Sequence, residues 1–466
     1  MKPDFFPNST EKERIATLDT YEKLIENFQE EVFPLGETIL KQFKNKNDTI
    51  YIAHGLPDKI SGFYSDLTQG DLEELNITVA QENLKNAVDQ ITEVNDVEDK
   101  IGDWSNEQSA FGFVVLYGRV NENNVFIMDT AEQDQYFPQD DGSIVFATWE
   151  RDKRQSDKKL EDRNLVCFIQ RYSLDDTGVT IERGVYETDA DNDVNDTKIP
   201  KEQYLDIYYQ GYGETEILDG LDEMPIVQID NARRMNGFGR SDLANVFPQF
   251  AEINEVRTGI GVEVRKNMDA ILEHPPLAEG NRNADGTITQ NFDTISRESN
   301  DVPETRFVTN DNPILKDAEV HIMSQVRIVS LVTDVPLSEL TGGNREERVE
   351  TQRIRLYPAE RKVKRKRARI RAGLKKMYRV GLKLTTDFKT GDDFDFICTF
   401  SAVLPRDELQ TSLSEQAKRD AGLTSRRSSM RRLEGYSDRE LDEELELIRN
   451  EDNSEGVAPN QITPQF

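Results

Sequence analysis

The sequence Asp334-Val-Pro-Leu-Ser-Glu-Leu-Thr-Gly-Gly-Asn-Arg345 separates two stretches that both have the periodicity of an α-helix. Before it, apolar residues on one helical face recur at steps of four, three and three: Ile322, Val326, Val329 and Val332. Pro336 predicts the end of that helix, because a proline disfavours a helical conformation for the preceding residue and lacks a backbone donor. Since Gly342 and Gly343 add conformational freedom and little bulk, we expect a mobile loop here.

The helical pattern continues from Glu346 to Leu384 and becomes strongly basic, with twelve lysines and arginines between Arg361 and Lys383. Cations point in several directions at every turn, so this helix cannot have a single solvated face. Two interpretations follow: the cations pair with carboxylates of the same chain, or they contact nucleic acid. Pro358 lies inside the pattern and predicts a kink or a later helix start.

Length and charge limit the class of protein. A chain of 466 residues suggests two to four domains at roughly 100 to 200 residues each. Acidic residues exceed basic ones by 89 to 58, which gives a formal net charge of −31. Such a chain repels DNA on average, so contact with DNA would be local. Adaptation to high salt would produce the same bias.

Cysteine usage and hydropathy point to a reducing cytoplasm. The two cysteines, Cys167 and Cys398, are far apart and have no zinc-ligand spacing around them. The N-terminus lacks the apolar core of a signal peptide, and no window approaches about 18 uninterrupted apolar residues. We therefore expect no disulfide framework and no membrane-spanning segment.

The N-terminal part of the chain predicts helices before it predicts strands. Thr10 and Glu13 have the spacing of a capping box, and a helical pattern follows up to Pro34. A further helical pattern covers 77–94. Beyond Phe111, short β-rich runs separated by turn residues predict an antiparallel sheet in an α+β domain. These runs are 111–117, 124–128, 143–149, 165–172, 178–181, 204–209 and 225–229.

The second half predicts a helical hairpin with a polar tip. Ser241-Asp-Leu243 can cap a helix, Pro248 suits its first turn, and apolar residues continue at helical steps to Ile271. The helix is expected to end at His274-Pro-Pro276, and a polar excursion with short β-like runs follows to Asn312. The helix before Asp334 then returns. An alternating strand at 394–400 and three short helices complete the chain.

Motifs that carry catalytic chemistry are missing from the sequence. It has no GxxxxGK[ST], HExxH or GxSxG motif, and its three histidines stand alone. The acidic run at Asp189, Asp191 and Asp193 fails as an EF-hand, because Val194 and Pro200 occupy the positions that need Gly and Glu. We expect no catalytic residue, no metal site and no cofactor.

Three stretches resemble the portal proteins of tailed double-stranded DNA viruses. The run 225–231 followed by Gly237-Phe-Gly-Arg-Ser-Asp-Leu243 is similar to the family's junction into its first stem helix. The run 336–345 with the basic helix is similar to its tunnel loop and tunnel helix. The C-terminal cluster resembles its crown in Pro405-Arg-Asp-Glu408, Ala421-Gly-Leu-Thr-Ser425 and the acidic helix 440–446. The order of elements extends the resemblance over nearly the whole chain.

The resemblance implies a fold and a domain order. The fold would be α+β, with an α/β wing, long stem helices, a small α/β clip, a tunnel loop and a helical crown, assembled as a ring. In chain order the parts are a helical arm 1–50, wing 51–240, stem helix 241–271, clip 272–312, returning stem helix 313–333, tunnel loop 334–348, tunnel helix and wing strand 349–400, crown 401–451 and tail 452–466.

The resemblance also implies a function and partners. About twelve subunits would form a DNA conduit at one capsid vertex, as a closed homo-oligomeric ring. The genome would be packaged and ejected through it. The other partners would be the terminase large subunit, then a head-tail adaptor, with the major capsid protein and scaffold around the ring. The protein would be assembled in the host cytoplasm and reside in the virion.

Three groups of site residues follow from the resemblance. The DNA tunnel loop would comprise Leu337, Thr341, Gly342, Gly343, Asn344, Arg345 and Arg348. The basic helix would contact the next subunit through Arg361, Lys364, Arg365, Arg367, Arg369 and Arg371. The clip would dock the motor and adaptor through His274, Arg282, Asn283, Asp285 and Arg297. We expect Arg345 and Arg348 to touch phosphates and most of the cluster from Arg361 to Arg379 to pair with carboxylates of neighbouring subunits.

Two other classes of protein remain open. A nucleic-acid-binding regulatory or processing factor would use the basic helix 346–384 as its contact and form a small oligomer with salt-dependent DNA affinity. A carboxylate hydrolase would need a substrate-dependent activity that is lost on changing one specific acid.

Overall fold

The computed structural model divides into two compact units, Met1–Ser401 and Ala402–Phe466. In the first unit the structure describes residues 6–36, 51–69, 72–79, 82–155, 159–189, 193–200, 214–232, 237–268, 271–274, 294–296, 306–308, 314–342, 349–389 and 394–400. In the second it describes 416–419, 425, 428 and 445–446. The fold is α+β.

The helices of the first unit are α1 (Ser9–Ile25), α2 (Gln29–Val32), α3 (Leu56–Gln69), α4 (Glu82–Asn95), α5 (Val97–Phe111), α6 (Phe247–Met268), α7 (Ile314–Thr333), α8 (Leu337–Thr341) and α9 (Val349–Thr385). Its strands are β1 (Leu72–Val79), β2 (Phe113–Val120), β3 (Phe126–Ala131), β4 (Tyr136–Pro138), β5 (Ile144–Arg151), β6 (Leu165–Leu174), β7 (Gly178–Thr188), β8 (Val194–Lys198), β9 (Thr215–Asp219), β10 (Ile226–Asp230), β11 (Ile271–His274), β12 (Thr294–Ser296), β13 (Arg306–Val308) and β14 (Phe394–Phe400).

The first helix is shorter than its sequence pattern predicts. Its capping box consists of Asn8 and Glu11, each side chain bonding the other's backbone N–H, rather than Thr10 and Glu13. The helix ends at Ile25, and Asn27 then adopts a left-handed conformation with φ 67°. Because Asn tolerates this conformation better than most residues, the chain turns here instead of continuing to Pro34.

The antiparallel sheet predicted after Phe111 is confirmed, but it forms two sheets. One has the order β10-β2-β3, and the other runs β4-β5-β6-β7-β8 with β9 paired to β7. All these pairings are antiparallel. The predicted strand at 204–209 lies outside the described residues.

The helical prediction for 77–94 is wrong at its start. Ile77 lies in β1, whose antiparallel partner is β14, with Ile77 opposite Phe396. The helix α4 begins only at Glu82. The partner strand lies more than 300 positions away in the chain, so local periodicity contains no trace of the pairing that decides this segment.

The long helix α9 packs against helices and sheets on one face. It contacts α3, α4, β2, β3, β10 and β14. Its fully buried stripe includes Val363, Ile370, Leu374 and Met377 at steps of seven, four and three. The helix runs from Val349 to Thr385 with Pro358 inside it, so the expected later start is wrong. Pro358 is exposed, and the packing on the opposite stripe holds the helix together.

The helical hairpin ends in a small three-stranded sheet. The helix α6 ends at Met268 within the described residues, and Ile271–His274 is a strand, so the prediction of a helix up to His274 is wrong. That strand pairs in parallel with β12 and antiparallel with β13. Cross-strand pairing with residues 306–308 overrides the helical pattern at this end. Pro248 lies in the first turn as predicted, and the returning helix spans Ile314–Thr333.

Two glycines let the chain cross itself where β10 leads towards α6. Gly112 has φ 94°, and a Cβ added to Gly239 would lie 1.9 Å from the Gly112 carbonyl oxygen. The same carbonyl accepts a hydrogen bond of 2.7 Å from the backbone N–H of Asn231. Only the absence of a side chain permits this approach, which fixes the segment 237–243 against the end of α5.

None of the helices in the described part of the chain is long and apolar enough to cross a lipid bilayer.

Replacing Gly239 with alanine should destabilise the fold, because its Cβ would collide with backbone rather than with a flexible side chain. We expect a loss of about 1–3 kcal/mol or more, seen as a lower apparent melting temperature by circular dichroism. The matched control is Gly62→Ala in α3, where nothing lies within 4 Å of the added Cβ. Equal melting temperatures for the two variants would contradict the crossing.

Candidate functional site

The segment predicted as a mobile loop contains a short helix. Leu337–Thr341 form α8, and Gly342 follows it in a left-handed conformation with φ 68°. The Pro336 carbonyl accepts hydrogen bonds from the N–H groups of Glu339 and Leu340, at 3.0 and 3.3 Å. The loop prediction is therefore wrong for Leu337 and Thr341. Gly343, Asn344, Arg345 and Arg348 lie outside the described residues.

Burial and tertiary bonding hold α8 in place. Leu340 is 3% exposed, and α8 packs against α3 and α7. The ammonium group of Lys59 donates to the Leu340 carbonyl at 3.3 Å. Before the helix, Ser330 donates to the Val335 carbonyl at 2.6 Å, and Asp334 takes φ 64°. These contacts order the first part of the segment that the glycines had suggested to be mobile.

A buried carboxylate, Asp242, contacts several elements near the start of the hairpin helix α6. One of its oxygens lies 2.8 Å from Lys362 Nζ and accepts from Asn231 Nδ2 at 2.7 Å. The other accepts from Ser109 Oγ at 2.6 Å and lies 3.3 Å from Lys366 Nζ. The carboxylate therefore joins α5, the end of β10 and α9 at one point. Ser241 Oγ instead donates to the Ala110 carbonyl at 2.6 Å and accepts from the Leu243 N–H at 3.0 Å. The helix α6 begins only at Phe247, so the predicted cap at 241–243 is wrong.

The charges at Asp242 are strongly coupled. Burial by itself would raise the Asp242 pKa, but the ammonium groups of Lys366 and Lys362 outweigh it and lower the pKa to about 2. Burial lowers the pKa of Lys366 to about 8, although Asp242 opposes the shift. Lys366 is 0% exposed, and its Nζ makes an ion pair without a well-directed hydrogen bond.

Tyr64 links this cluster to the end of α7. Its ring lies beneath both ammonium groups, with Lys362 Nζ at 4.3 Å and Lys366 Nζ at 5.2 Å from the centroid. Its hydroxyl donates to the Thr333 carbonyl at 2.5 Å, and Lys362 Nζ lies 3.3 Å from the same oxygen. The C-terminus of α7 is therefore fixed directly to α9. We call Tyr64, Asp242, Thr333, Lys362 and Lys366 the junction cluster.

Much of the remaining basic helix is also bonded within the chain. Lys376 donates to the Ile226 carbonyl at 3.3 Å, Arg379 pairs with Glu223 at 2.8 Å, and Lys383 pairs with Asp222. These contacts support the interpretation that the cations pair within the chain. They attach α9 to β10 and the turn before it, and that turn supplies the carboxylates.

Two of the arginines assigned to a subunit interface make contacts within the chain. Arg367 is 6% exposed, donates to the carbonyls of Leu67 and Thr68 at 2.7 and 3.1 Å, and lies over the Phe400 ring. Arg369 donates to the Asp230 carbonyl at 3.0 Å. Both arginines supply hydrogen-bond donors to backbone carbonyls at the ends of neighbouring elements. Arg371 is exposed on its helix and hydrogen-bonds the Cys398 thiol.

The face of α9 opposite its buried stripe combines apolar and cationic residues. Ile354 is 77% exposed and Tyr357 is 57% exposed. Arg361 and Arg365 continue this stripe at steps of four, and neither has an ion pair among the described residues. Lys364 beside them is exposed and pairs with Glu360 at 2.6 Å. We call this surface the exposed stripe of α9.

The helix α7 carries a second apolar surface. Leu331 is 80% exposed, Val320 is 70% exposed, and Ile328 and Val332 are 37% and 43% exposed. The contact between Lys362 and the Thr333 carbonyl places this end of α7 within two turns of Tyr357. Apolar surface on two helices that meet at one junction is typical of a protein interface.

The predicted docking residues of the hairpin tip are mostly outside the described residues. His274 ends β11, where its register partner in β12 is Ser296. Arg282, Asn283, Asp285 and Arg297 lie outside the described part of the chain. Sequence reasoning missed Asp242 and Tyr64 as site residues, since their partners are distant in the chain.

No protein-family model matches the sequence, and no curated protein matches it. The solved structures that contain chains similar to this one include two of gene transfer agent particles. One is from the virion of a native gene transfer agent particle, with 9% identity and a TM-score of 0.40, covering 86% of this chain and 93% of the other. The second is from the neck of an empty gene transfer agent particle, with 10% identity and a TM-score of 0.42, covering 86% and 94%.

Removing the charge of Asp242 should leave the buried ammonium group of Lys366 and the partly buried one of Lys362 without a counter-ion. We expect Asp242→Asn to cost about 3–5 kcal/mol, lowering the apparent melting temperature, because breaking a buried pair leaves an uncompensated charge. Adding Lys366→Met should recover part of the loss. The matched control is Lys364→Met, whose side chain is 65% exposed. A double variant no more stable than Asp242→Asn would argue against the coupling.

Proposed function

We propose that this chain is a portal protein, the subunit of a ring that conducts double-stranded DNA through one vertex of a viral capsid. The order of elements and the three similar stretches in the sequence support this proposal. The observation that carries it is the uncovered apolar surface on α7 and α9, which suits repeated copies placed side by side.

The helical hairpin agrees with the stem and clip of such a subunit. The helices α6 and α7 pack together, and Glu252 and His321 contact each other at 2.9 Å. Beyond α6 the chain enters β11, and β13, its antiparallel partner, leads into α7. The region 272–312 would then dock the terminase large subunit during packaging and a head-tail adaptor afterwards.

The apolar surfaces support assembly between identical copies. Large side chains exposed by 70% or more, such as Val320, Leu331 and Ile354, lose contact with water only when another molecule covers them. The surface on α7 and α9 carries cations, which would repel each other if two copies met through the same surface. A head-to-tail contact is therefore expected. Such heterologous contacts form a ring when their rotation closes.

The charge distribution suits a conduit. DNA carries about one charge per 1.7 Å of helix axis, so a strongly cationic wall would hold it in place. In a chain with a net charge of −31 the carboxylates outnumber the cationic side chains, and many cations of α9 pair with carboxylates of the same subunit. Few cations are therefore available to contact DNA. The ring would therefore guide DNA with little retention. We propose no catalytic activity, and capsid protein and scaffold as further partners.

Apolar contacts should decide whether the ring forms. In sedimentation or light scattering the wild-type protein should have the mass of about a dozen copies, far above the 53.4 kDa of one chain. The double variant Leu331→Glu/Ile354→Glu should remain small, because it buries charge in the interface. The matched control is Ile217→Glu on β9, which is 54% exposed and lies on neither helix.

A wild-type protein that is monomeric or dimeric, with DNA affinity that falls steeply with salt, would favour the regulatory or processing factor instead. Negative-stain electron microscopy distinguishes annular particles from such small oligomers. If the Leu331→Glu/Ile354→Glu variant still forms rings, ring assembly does not depend on the apolar surfaces of α7 and α9.

The free cations of α9 should matter for assembly as well. We expect Arg361→Glu/Arg365→Glu to convert rings to smaller species, because these side chains are exposed and unpaired in the described chain and would pair with carboxylates of the next, acidic subunit. Lys159→Glu, at a side chain 79% exposed in the connection between β5 and β6, serves as the control and should leave rings intact. Intact rings in the double variant would refute pairing between subunits at this stripe.

A further inference from the structure

A groove of about 910 Å³ lies between α1 and the sheets, away from the helices considered above. Its floor is apolar and includes Ile15, Phe111, Trp149 and Leu165, each only partly buried. Ile15 and Trp149 also pack against a buried cluster of the six-stranded sheet. The floor is therefore part of a rigid surface. We call this region the acidic groove, for the carboxylates around it.

Carboxylates surround the apolar floor, and few cations face them. The six are Asp19, Glu22, Glu107, Glu132, Asp134 and Asp193. Lys23 pairs with Asp19 at 3.0 Å and Lys12 pairs with Asp193 at 2.5 Å. Arg14 lies behind the groove, where it donates to the carbonyls of Gln133 and Tyr136.

The other four carboxylates make no ion pair with an ammonium or guanidinium group among the described residues, although the charge of Arg14 acts on Asp134. Glu107 and Glu132 accept only amide hydrogen bonds, from Gln133 and Gln135. Glu22 and Asp134 have no ion pair in the described part of the chain. The groove therefore has an excess of negative charge beside exposed apolar surface.

The pKa shifts have the sign expected for crowded carboxylates. Burial raises the pKa of Glu22, and the neighbouring charges of Glu26, Asp134, Asp19 and Glu132 raise it further. Burial raises the pKa of Asp134 as well, although backbone hydrogen bonds and the charge of Arg14 oppose the shift. Burial raises the pKa of Glu107 to about 7, although the hydrogen bond from Gln133 opposes the shift. A positively charged partner would relieve this repulsion.

We propose that the acidic groove docks a cationic amphipathic segment of another polypeptide. Apolar side chains of that segment would cover Ile15, Trp149 and Leu165, and its lysines or arginines would pair with Glu22, Glu132 and Asp134. Charge complementarity carries the choice of partner, and the apolar floor adds the shape of a helix-in-groove contact.

The chemistry of the groove argues against other occupants. Phosphates of nucleic acid and anionic lipid headgroups would be repelled by the carboxylates. The described residues contain no cluster of side chains placed to hold a metal ion. A small cation would also leave the apolar floor in water. A cationic amphipathic peptide has both the apolar side chains that would cover the floor and the charges that would pair with the carboxylates.

The two tryptophans allow a direct test with the full chain. Trp104 is 1% exposed, whereas Trp149 is partly exposed on the groove floor. The probe is a short synthetic amphipathic helix of leucine and lysine at helical spacing. Its binding should shift the emission of Trp149 to shorter wavelength. The variant Trp149→Phe should still bind the labelled peptide by fluorescence anisotropy but lose the emission shift.

The variant Glu22→Gln/Asp134→Asn should weaken binding about tenfold through two lost ion pairs. The matched control is Asp89→Asn/Glu93→Gln on α4, which removes two exposed carboxylates outside the groove and should change the affinity little. Circular dichroism verifies that each variant is folded. Both pairs change the net charge equally, so bulk attraction cannot explain a difference between them.

Several results would overturn the proposal. Equal weakening by the two double variants would show attraction to the acidic protein as a whole. Equal affinity for a peptide with the same composition in scrambled order would remove the role of the apolar floor. Binding of a leucine-glutamate peptide, or the same emission shift with spermidine or Mg²⁺, would also contradict it. The test does not depend on ring formation, since a portal ring with an empty groove would refute only this inference.

Discussion

One buried carboxylate holds together the parts of the chain on which the proposed function depends. Asp242 precedes α6, accepts from Ser109 at the end of α5, and pairs with Lys362 and Lys366 on α9. Taking charges out of water costs several kcal/mol each, so the cluster is stable only when every partner is in place. The start of one hairpin helix is thereby fixed relative to the long helix. Through Tyr64 and Lys362 the end of the other, at Thr333, is fixed to the same point.

The basic helix serves the interior of the chain more than its sequence suggests. An arginine or lysine on its buried side bonds a carbonyl at the end of another element, or a carboxylate. Arg367 and Arg369 illustrate the first case, and Arg379 illustrates the second. The long side chains reach these groups while their stems cover apolar surface. The surface of α9 that remains available to a partner is a narrow stripe of apolar and cationic side chains. It comprises Ile354, Tyr357, Arg361 and Arg365.

The first compact unit thus offers two surfaces of opposite character. The exposed stripe of α9 and the adjoining face of α7 are apolar and cationic, and they suit contact between copies of the chain. The acidic groove beside α1 is apolar and anionic, and it suits a different, positively charged protein. In a chain with a net charge of −31 the first surface is the exception. Burial of apolar area drives both contacts, and charge decides which partner each accepts.

The sequence by itself determined the helices α7 and α9, the antiparallel strands after Phe111 and the hairpin with its β-containing tip, because each has a strong local period or turn signal. It also suggested that the basic helix either pairs internally or binds an outside partner, without deciding between them. Only the tertiary structure decided that α8 is helical, that Ile77 lies in a strand, and that Lys366 is buried. Those outcomes depend on Leu340 finding a buried site, on β14 pairing with β1, and on Asp242 arriving beside α9. Contacts between residues hundreds of positions apart leave no periodic pattern in the chain, because burial, strand pairing and ion pairing select them only as the chain folds.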